Sequence, residues 1–193
     1  MSETLDPCIP ISDGFYLSRI VRADKAAYME HFTDPEIARN TLAIPFPYTE
    51  ADADWWLDQC ERHACNPEKI FAIREAGGYL VGAIGIVDGL AAMTRGAEFG
   101  YWLAKPYRGR NVMSRAISAF ATHAFQRLDL DRLYATPFAF NVASQRVLEK
   151  AGFQRAELLE RCHLKDGIYL DAIVYQQFRE KKPDAKPNDW AER

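Results

Sequence analysis

Residues 98–116 read Glu98-Phe-Gly-Tyr-Trp-Leu-Ala-Lys-Pro-Tyr-Arg-Gly-Arg-Asn-Val-Met-Ser-Arg-Ala116. The aromatic and branched residues of Ala97–Leu103 predict a strand, and Pro106, which has no N–H to donate, breaks it. A basic turn around Gly109 follows. From about Arg110 to Arg127, Val112, Ala116, Ile117, Phe120, Ala121 and Ala124 recur at helical spacing. A strand that feeds a turn at a helix N-terminus presents unbonded N–H groups and the positive end of the helix dipole, a seat for phosphate.

The rest of the chain is placed around this seat. A strand is predicted at Gly14–Ile20, with helices at Ala23–Phe32, from Asp34-Pro35 to about Asn40, and from the capping residue Thr49 onward, closed at Asn66-Pro67. Between the last two, Ile44-Pro-Phe-Pro-Tyr48 carries too many prolines for helix or central strand and reads as an extended aromatic loop. Strands at Ile70–Arg74 and Leu80–Val87 flank hairpin chemistry at Glu75-Ala-Gly-Gly78, and 88–95 reads as a loop. Beyond the central helix come a strand at Arg132–Pro137 and a helix capped by Asn141 and stopped at Gly152. Two long strands, Phe153–Leu164 and Ile168–Phe178, then meet at Lys165-Asp-Gly167. Strands mixed with helices in this order predict a single α/β domain over residues 12–178, preceded by an arm (1–11) and followed by a charged tail (179–193).

A net charge of −3 argues against nucleic acid as partner, so the basic residues at 105–115 suit a small anion. No apolar run approaches a membrane span, and Met1–Pro10 lacks the basic and apolar regions of a signal peptide. Four cysteines in 193 residues suit a reduced, cytoplasmic setting. Cys60, His63 and Cys65 fall on one predicted helix at poor ligand spacing, so no metal site is expected.

Three stretches carry a resemblance. Ala97–Leu103 is similar to the fourth strand of the GCN5-related N-acetyltransferase (GNAT) superfamily, in its ribosomal-protein N-terminal acetyltransferase-like (RimJ/RimL-type) branch. Arg108-Gly-Arg-Asn-Val-Met113 stands at the family's pyrophosphate loop. Asn141-Val-Ala-Ser-Gln-Arg-Val-Leu-Glu-Lys-Ala-Gly-Phe153 matches the branch's closing helix nearly letter for letter, and Lys165–Asp171 fits the end of the pattern. The resemblance implies a central, mostly antiparallel seven-stranded sheet, splayed between its fourth and fifth strands after a bulge near Leu103, with helices on both faces. It implies acetyl-CoA as co-substrate. The backbone of Trp102, Leu103 and Ala104 would pair with the pantetheine arm, and Arg108, Gly109, Arg110, Asn111, Val112 and Met113 would hold the pyrophosphate, with charge-assisted bonds from Arg108 and Arg110.

Acetyl transfer to an amine moves two protons, one off the ammonium and one onto the leaving thiolate. Glu98 is the candidate base, directly or through water, unless it is a surface carboxylate paired with Arg95 or Arg110. Leu148 occupies the place of the tyrosine acid of many relatives, so Ser144 is the candidate acid, with plain helix surface as its alternative. Asn141 would cap the helix and bond the pantetheine arm. Pro45, Phe46 and Tyr48 are the candidate acceptor wall, and the acids of the Asp52–Glu61 helix either attract a cationic acceptor or form a solvated face. Asn111 replaces the family's central glycine. Asparagine tolerates positive φ, so the turn is expected to survive, with a side chain placed to crowd the phosphate. Two readings follow: an N-acetyltransferase acting on a small amine or protein N-terminus, as monomer or homodimer, or a non-catalytic acyl-CoA-binding module.

Overall fold

In the computed structural model, which describes residues 8–62, 68–87 and 95–180, the chain runs β1 (Ile9–Ser12), β2 (Phe15–Ser18), α1 (Lys25–His31), α2 (Pro35–Asn40), α3 (Glu50–Arg62), β3 (Ile70–Arg74), β4 (Leu80–Val87) and β5 (Gly96–Leu103). It continues through α4 (Val112–Arg127), β6 (Arg132–Ala135), α5 (Val142–Lys150), β7 (Gln154–Lys165) and β8 (Ile168–Phe178). The strands form one sheet in the order β1-β2-β3-β4-β5-β6-β8-β7, antiparallel throughout except for the parallel pair β5–β6. The expectations for His63, Cys65, Asn66-Pro67, the loop at 88–94 and the tail beyond 180 lie outside the described residues.

Two cores lie on the two faces. Alternation along β3 sends Phe71 and Ile73 to one side, where they meet Ile117 and Phe120 of α4 and Leu148 of α5; Ala72 goes to the other, with Tyr28, Phe32, Ile37 and Leu57 of α1–α3. A buried ion pair ties β3 to the segment before α1: Arg74 donates to both Asp24 carboxylate oxygens at 2.7 and 2.9 Å. Its remaining donors reach Ser18 Oγ and the carbonyls of Arg19 and Gly78. This pair is therefore fully bonded, the condition under which a buried charge is tolerated.

Among the described residues the sheet has eight strands where seven are expected. The extra one is β1, inside the stretch read as a loose arm. Pro10 hides it from a sequence reading, yet β1 is an edge strand, where a residue without an N–H costs no ladder bond. Arg115 of α4 holds the β1–β2 turn through Ser12 and Asp13.

The feature that makes the site is the short β5–β6 pairing. Only Gly96, Ala97 and Glu98 pair, with Arg132, Leu133 and Tyr134. After Ala135 the chain follows β8 instead: Ile173 N–H donates to Pro137 O and Ala139 N–H to Asp171 O. From Phe99 to Leu103, β5 therefore has β4 on one side and, among the described residues, no strand on the other. The expected splay is present, but not the expected bulge near Leu103, since the β4–β5 register runs without a shift from Val87↔Glu98 to Gly82↔Leu103. Gly82 permits this closeness, because a Cβ there would lie 2.6 Å from the Trp102 carbonyl oxygen. Among the described residues no helix is long and apolar enough to cross a membrane.

Candidate active site

The turn before α4 is built from two left-handed residues, Gly109 (φ 75°) and Asn111 (φ 60°), on either side of Arg110. Turns of this kind gather successive N–H groups on one side. Asn111 sits at the N-cap of α4, but its side chain makes no bond to the helix N–H groups. Its Oδ1 instead accepts from Lys150 Nζ of α5 at 3.1 Å. Asn111 thus takes the backbone shape of the glycine it replaces, and its amide is engaged with α5 rather than with the first turn of α4. Val112 and Met113 bury their side chains in the core, leaving only backbone to offer. A Cβ at Gly109 would meet nothing within 4 Å, so the mouth of the turn is open. Free N–H groups, a dipole end and open space fit a pyrophosphate.

The cations differ from expectation. Arg108 turns away from the seat: Nε donates to Leu103 O at 3.0 Å, and the guanidinium pairs with Asp34 (2.8 Å) and Glu36 (2.7 Å) at the start of α2. Arg110 stacks 5.9 Å from the ring centres of Phe15 and Tyr107. Lys150, which the sequence reading left without a role, stands beside the turn instead.

Along the cleft, the Ala104 N–H is not free for pantetheine, because it donates to Val81 O, and the Ala104 carbonyl already accepts from Tyr107 N–H. The Leu103 carbonyl already accepts from Arg108. Strand alternation leaves the backbone of Phe99, Tyr101 and Leu103 facing the opening, whereas Trp102, expected to pair with pantetheine, turns its backbone to β4, its carbonyl oxygen lying against Gly82. Asn141 caps α5 as expected, its Oδ1 accepting from Ser144 N–H at 3.1 Å. Ser144 Oγ lies 2.6 Å from the hydroxyl of Tyr101, a β5 residue that the sequence reading passed over. Burial pushes the Tyr101 hydroxyl well above the usual tyrosine range, so it stays protonated.

Glu98 is the last β5 residue to pair with β6, at the apex of the splay. Its carboxylate accepts a short bond from Thr136 Oγ1. The alternative ion pairs are absent among the described residues, because Arg95 binds Asp129 and Asp131 and Arg110 stacks on the rings. Strand alternation puts Glu98, Gly100 and Trp102 on the α1–α3 face and Phe99 and Tyr101 on the α4–α5 face. Trp102 packs with that first face, 4.7 Å from the Phe32 ring, and Phe32 in turn lies 4.6 Å from Tyr48. Tyr48 is thus a half-buried wall residue, its hydroxyl pushed up to about 12 chiefly by burial, while Pro45 and Phe46 face solvent. The α3 acids are not free to attract a cation: Asp58 and Glu61 bind Arg22, Asp54 binds Lys25, and Asp52 closes the cap with Thr49. His163 packs edge-on against Phe138.

The profile of the "Acetyltransferase (GNAT) domain" family matches residues 15–154. The SPbeta prophage-derived uncharacterized N-acetyltransferase YokL of Bacillus subtilis (strain 168) is 30% identical over 150 residues, 77% of this chain and 81% of that protein. The putative ribosomal N-acetyltransferase YdaF of the same organism is 33% identical over 96 residues, about half of each chain (50% and 49%). A solved structure of RimL, a ribosomal L7/L12 alpha-N-protein acetyltransferase in complex with coenzyme A, superposes with a TM-score of 0.78 at 19% identity, covering 89% of this chain and 98% of that one. With a family profile that spans most of the sheet and a relative matched over most of its length, the chain belongs to the acetyltransferase (GNAT) family, with acetyl-CoA as co-substrate.

Proposed function

We propose that this acetyl-CoA-dependent N-acetyltransferase passes the acetyl group straight to a primary amine in a ternary complex, with Glu98 as base and Ser144 as acid. The observation that carries this is the opening between β5 and β6, which has Glu98 at its apex and Ser144 across the gap. The amine enters from the α1–α3 face, past Trp102 and Tyr48, and Glu98 takes its proton directly or through one water. Acetyl-CoA supplies the thioester from the α4–α5 side, its pyrophosphate on the turn at 109–113 and near Lys150. Asn141 keeps its side-chain NH2 for the pantetheine arm while its oxygen caps α5. Ser144 protonates the leaving sulfur. Holding amine and thioester together supplies most of the rate, and each proton transfer adds on the order of a hundredfold.

The acceptor is a protein N-terminus or a small amine; a relative named as a putative ribosomal N-acetyltransferase supports the first. The test is a panel of N-terminal peptides and small amines with acetyl-CoA, read by release of free thiol. Amine-dependent release from at least one member is expected. Tight binding of acetyl-CoA with no release across the panel would revive the non-catalytic binding module.

A further inference from the structure

A serine hydroxyl is a poor acid on its own, and it donates usefully only if its proton faces the sulfur. The side chain that decides this is Tyr101. Its hydroxyl lies 2.6 Å from Ser144 Oγ and 3.4 Å from Ser144 O, although the two residues are 43 positions apart in the chain. Its ring points from β5 toward α5, braced by Phe99 at 5.9 Å between ring centres. Leu148, one turn further along α5, is fully buried in the core and offers no hydroxyl. The tyrosine hydroxyl at this end of the cleft therefore comes from the strand rather than from the helix.

We infer that Tyr101 is the positioning residue that makes Ser144 a proton donor: its O–H donates to Ser144 Oγ and leaves the serine proton facing the cleft. This rests on the reading of Ser144 as the acid. The direction of the bond follows from acidity. A phenol is the stronger donor of the two, and burial keeps it protonated. When the C–S bond breaks, its electron pair stays on sulfur and the Ser144 proton moves to it. The serine oxygen takes the Tyr101 proton as it gives up its own, since the phenol is the stronger acid, and water reprotonates the tyrosine.

The test needs no acceptor. Coenzyme A is bound to the full-length protein and its thiol is titrated by the ultraviolet absorbance of the thiolate, with desulfo-CoA as the blank. A donor aimed at sulfur stabilises the thiolate, so Ser144→Ala raises the pKa of the bound thiol by about one unit. Tyr101→Phe is expected to raise it by a similar amount, and the double variant no further. A shift with Ser144→Ala but none with Tyr101→Phe overturns the role of Tyr101 and leaves Ser144 standing. Additive shifts overturn it as well, since Tyr101 would then act apart from Ser144. No shift in either variant removes the reading of Ser144 and this inference with it. 3-Fluorotyrosine at position 101 keeps the ring and sharpens the donor. It is expected to move the thiol pKa down, and a null result there counts against the inference even if Tyr101→Phe does not fold.

Discussion

Asn111 is the residue at which cofactor affinity and backbone geometry are most directly opposed, and two substitutions separate them. Its φ of 60° and ψ of 10° place it in the left-handed region, and its Oδ1 takes a bond from Lys150 Nζ at 3.1 Å. Alanine loses both the tolerance and the bond. Left-handed backbone costs an ordinary L-residue about 1–2 kcal/mol, part of which asparagine already bears, and an exposed polar pair contributes a few tenths. Asn111→Ala should therefore lose about 1 kcal/mol, or about 2–4 °C in Tm for a chain of this size. Glycine relieves the backbone and loses only the pair, so Asn111→Gly should stay within about 0.5 kcal/mol of the parent. Because the amide is held by Lys150 rather than over the first turn of α4, removing it opens no new room for phosphate. Calorimetric titration with coenzyme A should give a Kd for Asn111→Gly within about threefold of the parent. Tightening by tenfold, about 1.4 kcal/mol, would mean that the side chain does crowd the phosphate and that its bond to Lys150 is not the resting state.

Other outcomes follow from the same contacts. Arg108→Ala should lower Tm by about 2–4 °C, through the loss of Asp34 and Glu36 as partners, while coenzyme A affinity changes by less than about threefold; a tenfold loss of affinity at unchanged Tm would put Arg108 on the pyrophosphate instead. Gly82→Ala should cost about 1–3 kcal/mol by thermal melting, since its Cβ would meet the Trp102 carbonyl at 2.6 Å, and a neutral result would mean that β4 and β5 are not held this closely. His123, packed 5.2 Å from Phe71, has a pKa lowered mainly by burial, with Glu68 pulling it up and Arg127 pushing it down. The unfolded chain takes up that proton first, at about 6.5, so stability from this group is complete above that pH and is lost as pH falls through the lower folded value. Melts across about pH 5–7.5 should show the parent losing Tm on acidification faster than His123→Gln; equal slopes would refute the assignment.

What the sequence revealed was local. β8 spans Ile168–Phe178 as the turn residues at Lys165–Gly167 predict, because Asp166 and Gly167, both at positive φ, reverse the chain locally. α5 begins after Asn141 and stops before Gly152 because capping is a matter of a few neighbouring residues. The misses are contacts between distant segments. Arg108 looks like a phosphate ligand until the chain brings Glu36 from 72 positions away. Tyr101 looks like a packing residue until the splay sets α5 beside it. The bulge expected near Leu103 is unnecessary because β6 leaves β5 by following β8, a choice that depends on Pro137–Ala139 meeting Asp171–Ile173. β1 was hidden by a proline whose missing donor matters only in a central strand.

The most direct measurement is the rate of amine-dependent CoA release by Glu98→Gln, on whichever amine the panel identifies and with acetyl-CoA saturating. Glutamine keeps an acceptor for Thr136 but cannot take a proton, so the fold and coenzyme A affinity should hold while kcat falls on the order of a hundredfold. A Glu98→Gln enzyme that turns over at the parent's rate would remove the base from the apex of the splay and contradict the proposed division of the cleft into an amine side and a thioester side.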